Sequence, residues 1–400
     1  MSSNAMSVEQ RVQAPETARG MVERLVSLSV KGLVPMFDPV QRLFCFTLKQ
    51  TDQGLVREGI SRRYTMMSLM GLHRLEQSGT KSPIEIQPVL EGLLSNTEWI
   101  DNIGDLGLLL WLCALVAPHR LEEVQRRLEI KSALTRFCGA RHGLTMELAW
   151  FLTGLSHGIL SGAAPKAGMG ELAVGTYRVL LKNQGDHGAF GHARTNRSMV
   201  GILRGGVGSF ADQVYPIYGI SKFSQALGDE KALERALDCG LNICEAQGPL
   251  GQWWWHYDSS TGEVVGKYPV FSVHQHAMGP MGLFALGEAT HSDFGPWIYK
   301  GLEWIGKNEL GVDLEDSAAS LVWRCVQQGG AVKYWSLAKA FLTKHRDTSS
   351  KNGLAVRFEC RPYELGWLLY AFANAEMSPT RSAPANSKTD SPRNFSGACR

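Results

Sequence analysis

No stretch of this chain is apolar for long enough to cross a bilayer: the longest apolar run, Leu106 to Pro118, has 13 residues, where a helical span needs about 20. The opening residues MSSNAMSVEQRVQAPETARG lack the apolar segment of a secretory signal, so the expectation is a cytoplasmic protein. The eight cysteines, Cys45, Cys113, Cys138, Cys239, Cys244, Cys325, Cys360 and Cys399, show no CxxC spacing and mostly fall inside apolar text. They read as reduced core thiols, not as a disulfide framework or zinc ligands. An excess of either charge is also missing: the net charge is +3, and basic residues are scattered rather than gathered beside aromatics. That argues against nucleic acid as a partner. Strand-like text is scarce. Only Leu43–Lys49 and Val264–Val270 read as extended, and neither supports a sheet-based core.

What is present is helical. With 44% apolar residues the chain can bury a large core, and those residues recur at three and four positions, as in Leu148, Phe151, Leu152 and Leu155, or Leu365, Leu368, Leu369 and Phe372. The pattern predicts helices near 19–33, 61–78, 84–95, 103–117, 119–135, 144–161, 168–183, 209–227, 230–246, 271–289, 293–306, 315–326, 331–344 and 361–376. Gly162, Gly185, Gly248, Gly287 and Gly311 stand at junctions and suit left-handed helix caps. Residues 1–18 and 377–400 are polar and rich in residues that bury little, so they are expected to be disordered around a single domain at 19–376.

A recurrence organises this helical text. A helix closes on Gln or Asn, a glycine turn follows, and an aromatic or acidic residue comes next: Gln184 to Phe190, Gln247 to Trp253 and, more faintly, Asn308 to Asp313. The copies lie roughly 60 residues apart, the length of two antiparallel helices with their connections. Each copy then closes one helical hairpin, and six hairpins make an all-α (α/α)6 toroid with a central cup.

The densest chemistry follows the second copy. Trp253, Trp254 and Trp255 cannot all face one core from one element, so at least one is expected in a cavity wall. Such a wall suits a sugar ring by stacking or an isoprenoid by apolar contact. His256, Tyr257 and Asp258 supply a base, a hydroxyl and a carboxylate, with Tyr268, His274 and His276 close behind. His274 and His276, at i and i+2, do not share a helix face, so no metal site and no cofactor are implied. His157, His187 and His192 read as satisfied loop or core residues. Asp313, Glu315 and Asp316 repel one another, which can hold a proton for use as an acid, although acids before a helix also cap it. Arg361, Tyr363 and Glu364 open the last helix, Asp212 and Tyr215 open another, and Arg62, Arg63 and Tyr64 a third. All are candidates for binding a polar or anionic ligand.

The Gln-x3-Gly-x-Trp spacing of Gln247–Trp253, and Gln184–Phe190 with Phe in place of Trp, resembles the repeat of the squalene and oxidosqualene cyclase and prenyltransferase superfamily. That resemblance implies (α/α)6 barrels. Asp313-Leu314-Glu315-Asp316 also resembles the DxDD motif of class II terpene cyclases, with Glu at the acid position. Its implication is that Glu315 protonates an alkene or epoxide, supported by Asp313 and Asp316. Three readings follow. The first is a terpene or prenyl cyclase-like enzyme whose aromatic cup stabilises positive charge. The alternative is a carbohydrate-active toroid, a hydrolase, lyase or epimerase of a sugar or uronate, with Trp254 or Trp255 stacking the ring, Asp258, His256, His274 or Glu364 as acid and base, and Arg361 on a carboxylate. The third is a non-catalytic helical scaffold. The cyclase reading leads on its motifs, and the interleaving of polar groups with tryptophans favours the sugar.

Overall fold

The structure, a computed structural model, describes residues 8–139, 142–163, 166–193, 205–329 and 353–373. The expected helix at 331–344, the tail at 377–400 and Cys399 lie outside them.

Thirteen α-helices occur among the described residues: α1 (Val8–Met36), α2 (Arg62–Gln77), α3 (Ile86–Ser95), α4 (Ile103–Val116), α5 (Leu121–Arg127), α6 (Ala133–Cys138), α7 (Thr145–Leu160), α8 (Lys166–Leu181), α9 (Phe210–Leu227), α10 (Glu230–Glu245), α11 (Gly279–Thr290), α12 (Gly295–Glu303) and α13 (Pro362–Phe372). Helices α2, α4, α7, α9, α11 and α13 pack each on the next, and α13 packs back on α2. This closed inner ring, with the remaining helices outside it, is the expected all-α toroid. Helix α1 packs on α13, so the first helix supplies the outer partner of the last.

The two rings follow from their residues. Every residue of α4 from Ile103 to Ala114 is buried, as expected for a helix apolar on all sides. Helix α10 is buried along one stripe only: Ala232, Ala236, Cys239, Gly240, Ile243 and Cys244. Inner helices approach closely where glycines meet, and a Cβ on Gly107 would strike the backbone of Phe151 on α7. Stacked aromatics fill the ring's axis: Trp111 lies 5.4 Å from His157, 5.0 Å from Tyr218 and 5.2 Å from Trp367. They give the cup a floor. His157 is satisfied there, sharing a 2.9 Å hydrogen bond with the Tyr218 hydroxyl.

The recurrent turns clamp successive outer helices. Gln184 Nε2 donates to Gly188 O (2.9 Å) and to Arg235 O on α10 (2.9 Å). Gln247 Nε2 repeats this, donating to Gly251 O (3.2 Å) and to Trp297 O on α12 (2.9 Å). Each bond is worth about 1 kcal/mol. The left-handed residues are not the expected Gly185 and Gly248 but Gly188 (φ +83°) and Gly251 (φ +98°), where a side chain would strain the turn. Asn308, in the third copy, donates within its own turn to Val312 O (2.6 Å).

Two predicted helices are replaced. Residues 119–135 split into α5, α6 and two single 3-10 turns at Pro118–Arg120 and Ile130–Ser132, with Glu129 left-handed between them. Residues 315–326 are extended: the strands are β1 (Phe37–Asp38), β2 (Leu43–Thr51), β3 (Gly54–Ile60), β4 (Val207–Ser209), β5 (His256–Asp258), β6 (Val264–Gly266), β7 (Val270–Phe271), β8 (Glu315–Asp316), β9 (Leu321–Val322), β10 (Cys325–Gln328), β11 (Leu354–Arg357) and β12 (Glu359–Cys360). Ladder pairing of β8 with β9 and of β10 with β7 and β11 outweighs the helical spacing of this apolar text. Helix α1 begins at Val8, before the predicted start at 19. The described cysteines are free, and all but Cys138 are buried. No described helix is long and apolar enough to cross a membrane.

Candidate functional site

The first turns of the inner helices open on one end of the ring and surround a cavity of about 150 Å³. Trp150, Tyr215, Trp255, Phe271, Tyr363 and Tyr64 form its aromatic wall, with Arg63, His274 and Arg324 as its polar groups. Strands β3, β4, β7 and β12 run into α2, α9, the turn at His274–Met278 before α11, and α13. They fix the entry of those helices, so the side chains of the first turns are held rather than free.

The third helical residue of several inner helices carries an acid, which favours the macrodipole and, for Asp212 and Glu364, accepts from the N-cap amide. Asp105 follows the N-cap Asn102 on α4, Glu147 follows Leu144 on α7, Asp212 follows Ser209 on α9, and Glu364 follows Arg361 on α13. Their surroundings differ. Asp105 is gripped by both arms of Arg63, Nε to Oδ1 at 2.7 Å and Nη2 to Oδ2 at 3.0 Å, and by Asn102 Nδ2 at 2.6 Å. The Arg63 guanidinium lies 5.3 Å from the centre of the Trp150 ring. Burial pushes the Glu147 carboxyl above its ordinary range; Arg63 pulls it down, and the charges of Asp105 and Asp101 push it further up.

Around the mouth, His192 Nδ1 stands 3.3 Å from Asp212 Oδ2. His256 is held down to about 4 by burial, with Asp212 pulling the other way. The His274 ring stacks on Trp255 with centroids 5.8 Å apart, and burial followed by the charge of Arg324 depresses it to about 3. Arg324 pairs with Glu364, with Glu359 at 3.1 Å, and lies 4.9 Å over the Phe271 ring. Burial raises Glu364, against the pull of Arg324. Arg361 Nη1 donates to the Tyr64 hydroxyl at 2.9 Å and stacks over Phe46. A chain of charges and rings thus encircles the mouth.

The predicted residues divide. Trp255, His274, Tyr215 and Tyr363 line the cavity, and Tyr64 and Arg63 join them. His256, Asp212, Glu364 and Arg361 stand behind that lining. Trp253 is buried against Phe210, 5.6 Å away, and Trp254 lies under Lys267 and edge-on to Tyr268. Tyr257 is core. Asp258 caps its own hairpin by accepting from Ser260 N (2.8 Å) and Oγ (2.6 Å), and the Tyr268 hydroxyl donates to Glu309 at 3.0 Å. His276 is fully buried, off the cavity, with neither ring nitrogen partnered among the described residues. Asp313, Glu315 and Asp316 are absent from the cavity lining. Asp313 accepts from Glu315 N (2.9 Å), Asp316 from Ala319 N (2.9 Å), and Glu315 pairs with Arg24 at 3.0 Å. These carboxylates find amides and a cation where they stand, so the terpene cyclase reading loses its acid.

Asp105, Glu147, Trp150 and Arg324 are not visible as a motif, because they come from three separate parts of the chain. The usable signal is the acid three residues after the N-cap, present on α4, α7, α9 and α13.

No family model matches the chain, and no curated protein matches it. Solved structures do match it over nearly its whole length. A possible member of the GH105 family from Klebsiella pneumoniae is 12% identical, covers 93% of this chain and 94% of its own, and has a TM-score of 0.56. An unsaturated glucuronyl hydrolase specific for heparin is 14% identical over 88% of this chain and 96% of its own, with a TM-score of 0.55. The unsaturated glucuronyl hydrolase of Streptococcus agalactiae is 11% identical over 90% and 91%, at 0.56. At such identities the likeness establishes the fold. Two of the three are hydrolases by name, and the fold they share with this chain is the toroid.

Proposed function

We propose that the chain is a carbohydrate-active enzyme that acts on a uronate-bearing sugar in the cup, using Glu147 as general acid and Asp105 as its ionised partner. The observation that carries this reading is the contrast between the two carboxyls. Arg63, which lines the cavity, grips Asp105 together with Asn102, while burial and neighbouring negative charge raise the carboxyl of Glu147, a residue flanked by the lining residues Met146 and Trp150. A carboxyl raised by burial is suited to hold a proton for use as an acid, and a neighbouring carboxyl gripped by an arginine offers the counter-charge. Glu147 gives its proton to the glycosidic oxygen or, in an unsaturated uronate, to the enol-ether carbon. The oxocarbenium character that develops next to the ring oxygen is stabilised by the Asp105 carboxylate. The resulting Glu147 carboxylate then takes a proton from the attacking water, so the acid is restored.

Trp255 and Trp150 offer faces for a sugar ring, and Arg63 and Arg324 place positive charge in the cavity wall for its carboxylate. The likeness to unsaturated glucuronyl hydrolases supports the same substrate class. The test is an assay of the purified protein on unsaturated glucuronyl disaccharides, followed by loss of the ultraviolet absorbance of their C4–C5 double bond, with saturated uronate oligosaccharides in parallel. Turnover of either is expected. No turnover of any uronate, with squalene or a prenyl diphosphate consumed instead, would overturn the reading.

A further inference from the structure

The polar side chains around the cavity are unevenly divided between donors and acceptors. Its lining includes Arg63, Arg324, Trp150 and Trp255, whose side chains can donate hydrogen bonds but cannot accept them. Tyr64 and Tyr215 also line it, and a phenol can do either. Their partners decide which. The Tyr215 side chain belongs to a residue only 3% exposed, and its hydroxyl oxygen accepts from Trp367 Nε1 at 2.9 Å. Trp367 is fully buried and absent from the lining, so that N–H reaches the oxygen from behind the wall.

A phenolic O–H lies in the plane of its ring with two positions open to it, and the hydrogen avoids the one that faces another donor. The Tyr215 hydrogen is therefore turned away from Trp367, on the side of the cavity, and no acceptor for it is found among the described residues. Burial pushes this phenol up, so the proton stays on. Tyr64 repeats the arrangement. Its hydroxyl accepts from Arg361 Nη1 at 2.9 Å, and Arg361 also stands behind the lining. Phe46 and Tyr363 pack on the Tyr64 ring, with centroids 5.4 and 4.6 Å away, and hold its plane. We infer that Tyr215 and Tyr64 are specificity-determining residues: each is pinned as a hydrogen-bond donor toward the cavity, and with Arg63 and Arg324 they select the carboxylate of a uronate over a neutral sugar. A hydroxymethyl group in the same place brings one oxygen instead of two and no charge to match the arginines. This rests on the reading of the cup as a sugar site, and it adds which uncharged groups read the acid.

The test compares the unsaturated glucuronyl disaccharide with its methyl ester, which keeps the ring and the double bond but not the charge. In Tyr215→Phe the ratio of kcat/KM for the acid to that for the ester should fall about 10-fold below the wild-type ratio, because a hydrogen bond to a charged group is worth more than one to a neutral carbonyl. Phenylalanine leaves Trp367 Nε1 without its partner, which can cost stability. Tyr64→Phe is therefore the second variant, since Arg361 keeps Glu359 within reach of Nη2 at 3.6 Å, and the same ratio should fall at least about 3-fold. Equal losses on acid and ester in both variants would make the two hydroxyls packing groups and overturn the inference, while the sugar reading stands. Wild-type protein that turns over neither compound would remove the sugar reading, and the inference with it.

Discussion

Two groups of carboxyls occupy this molecule, and they behave in opposite ways. Asp313, Glu315 and Asp316 are neighbours in the chain, and each disperses its charge onto something local: a turn amide for two of them and Arg24 for Glu315. Asp105 and Glu147 come from different helices, yet Glu147 feels the charge of Asp105. The first group is a set of caps. The second is an unequal pair: Asp105 takes both hydrogen bonds from Arg63, while Glu147 feels that charge only at a distance and is raised chiefly by burial. Crowding of acids along a sequence therefore does not by itself make a site. What counts is how many donors each acid can reach and how much water it keeps.

The comparison breaks most sharply under amide substitution. Glu147→Gln should lower turnover of the unsaturated disaccharide by a factor on the order of 10² to 10⁴, the usual weight of a general acid, while Glu315→Gln should leave it within about 2-fold. Steady-state kinetics of the two variants decide the matter, and a larger loss at Glu315 would reverse it.

A smaller effect separates the buried histidines from the buried acids. His256, His274 and His276 are held to about 4, 3 and 3, against an ordinary value of 6.5, chiefly by burial. The unfolded chain takes up these protons as pH falls below 6.5, and the folded chain refuses them until about 4 to 3. Stability is thus full above 6.5 and is lost through that window. Glu147 and Glu364, raised by burial, work in the other direction, and lose stability as pH rises above 4.5. Replacing His276 by Leu removes one refusing group and two unpartnered nitrogens. Urea unfolding between pH 7 and pH 5 should then show a slope shallower by up to about 1.4 kcal/mol per pH unit. An unchanged slope would mean that His276 is protonated in the fold.

The smallest effect is expected at the surface. Arg24→Ala removes the cation facing Glu315, but Arg24 is 56% exposed, so solvent screening should limit the cost to below about 1 kcal/mol. Thermal unfolding at low and high salt measures it.

Much of the fold was legible. The spacing of apolar residues located the inner helices because a helix packed on every side must be apolar on every side, as α4 is. The Gln184 and Gln247 turns gave the hairpin length because their amides bridge neighbouring outer helices. The stretch 315–326 was misread because short apolar runs carry no sign of the ladder partner that β7 and β11 provide. The site was less legible. Of three adjacent tryptophans only Trp255 reaches the cavity, since the chain turns through them into β5 and sends Trp253 inward and Trp254 beneath Lys267.

The sequence by itself determined an all-α toroid of hairpins, reduced buried thiols and the turns that space the outer ring. These rest on local periodicity and on bonds within a turn or to the next hairpin. Which acids are raised by burial, which ring faces the cup and which histidine meets a carboxylate were decided only when the six inner helices closed. Closure brings the first turns of distant hairpins onto one rim, and there burial and the allocation of two arginines among several carboxyls set the chemistry.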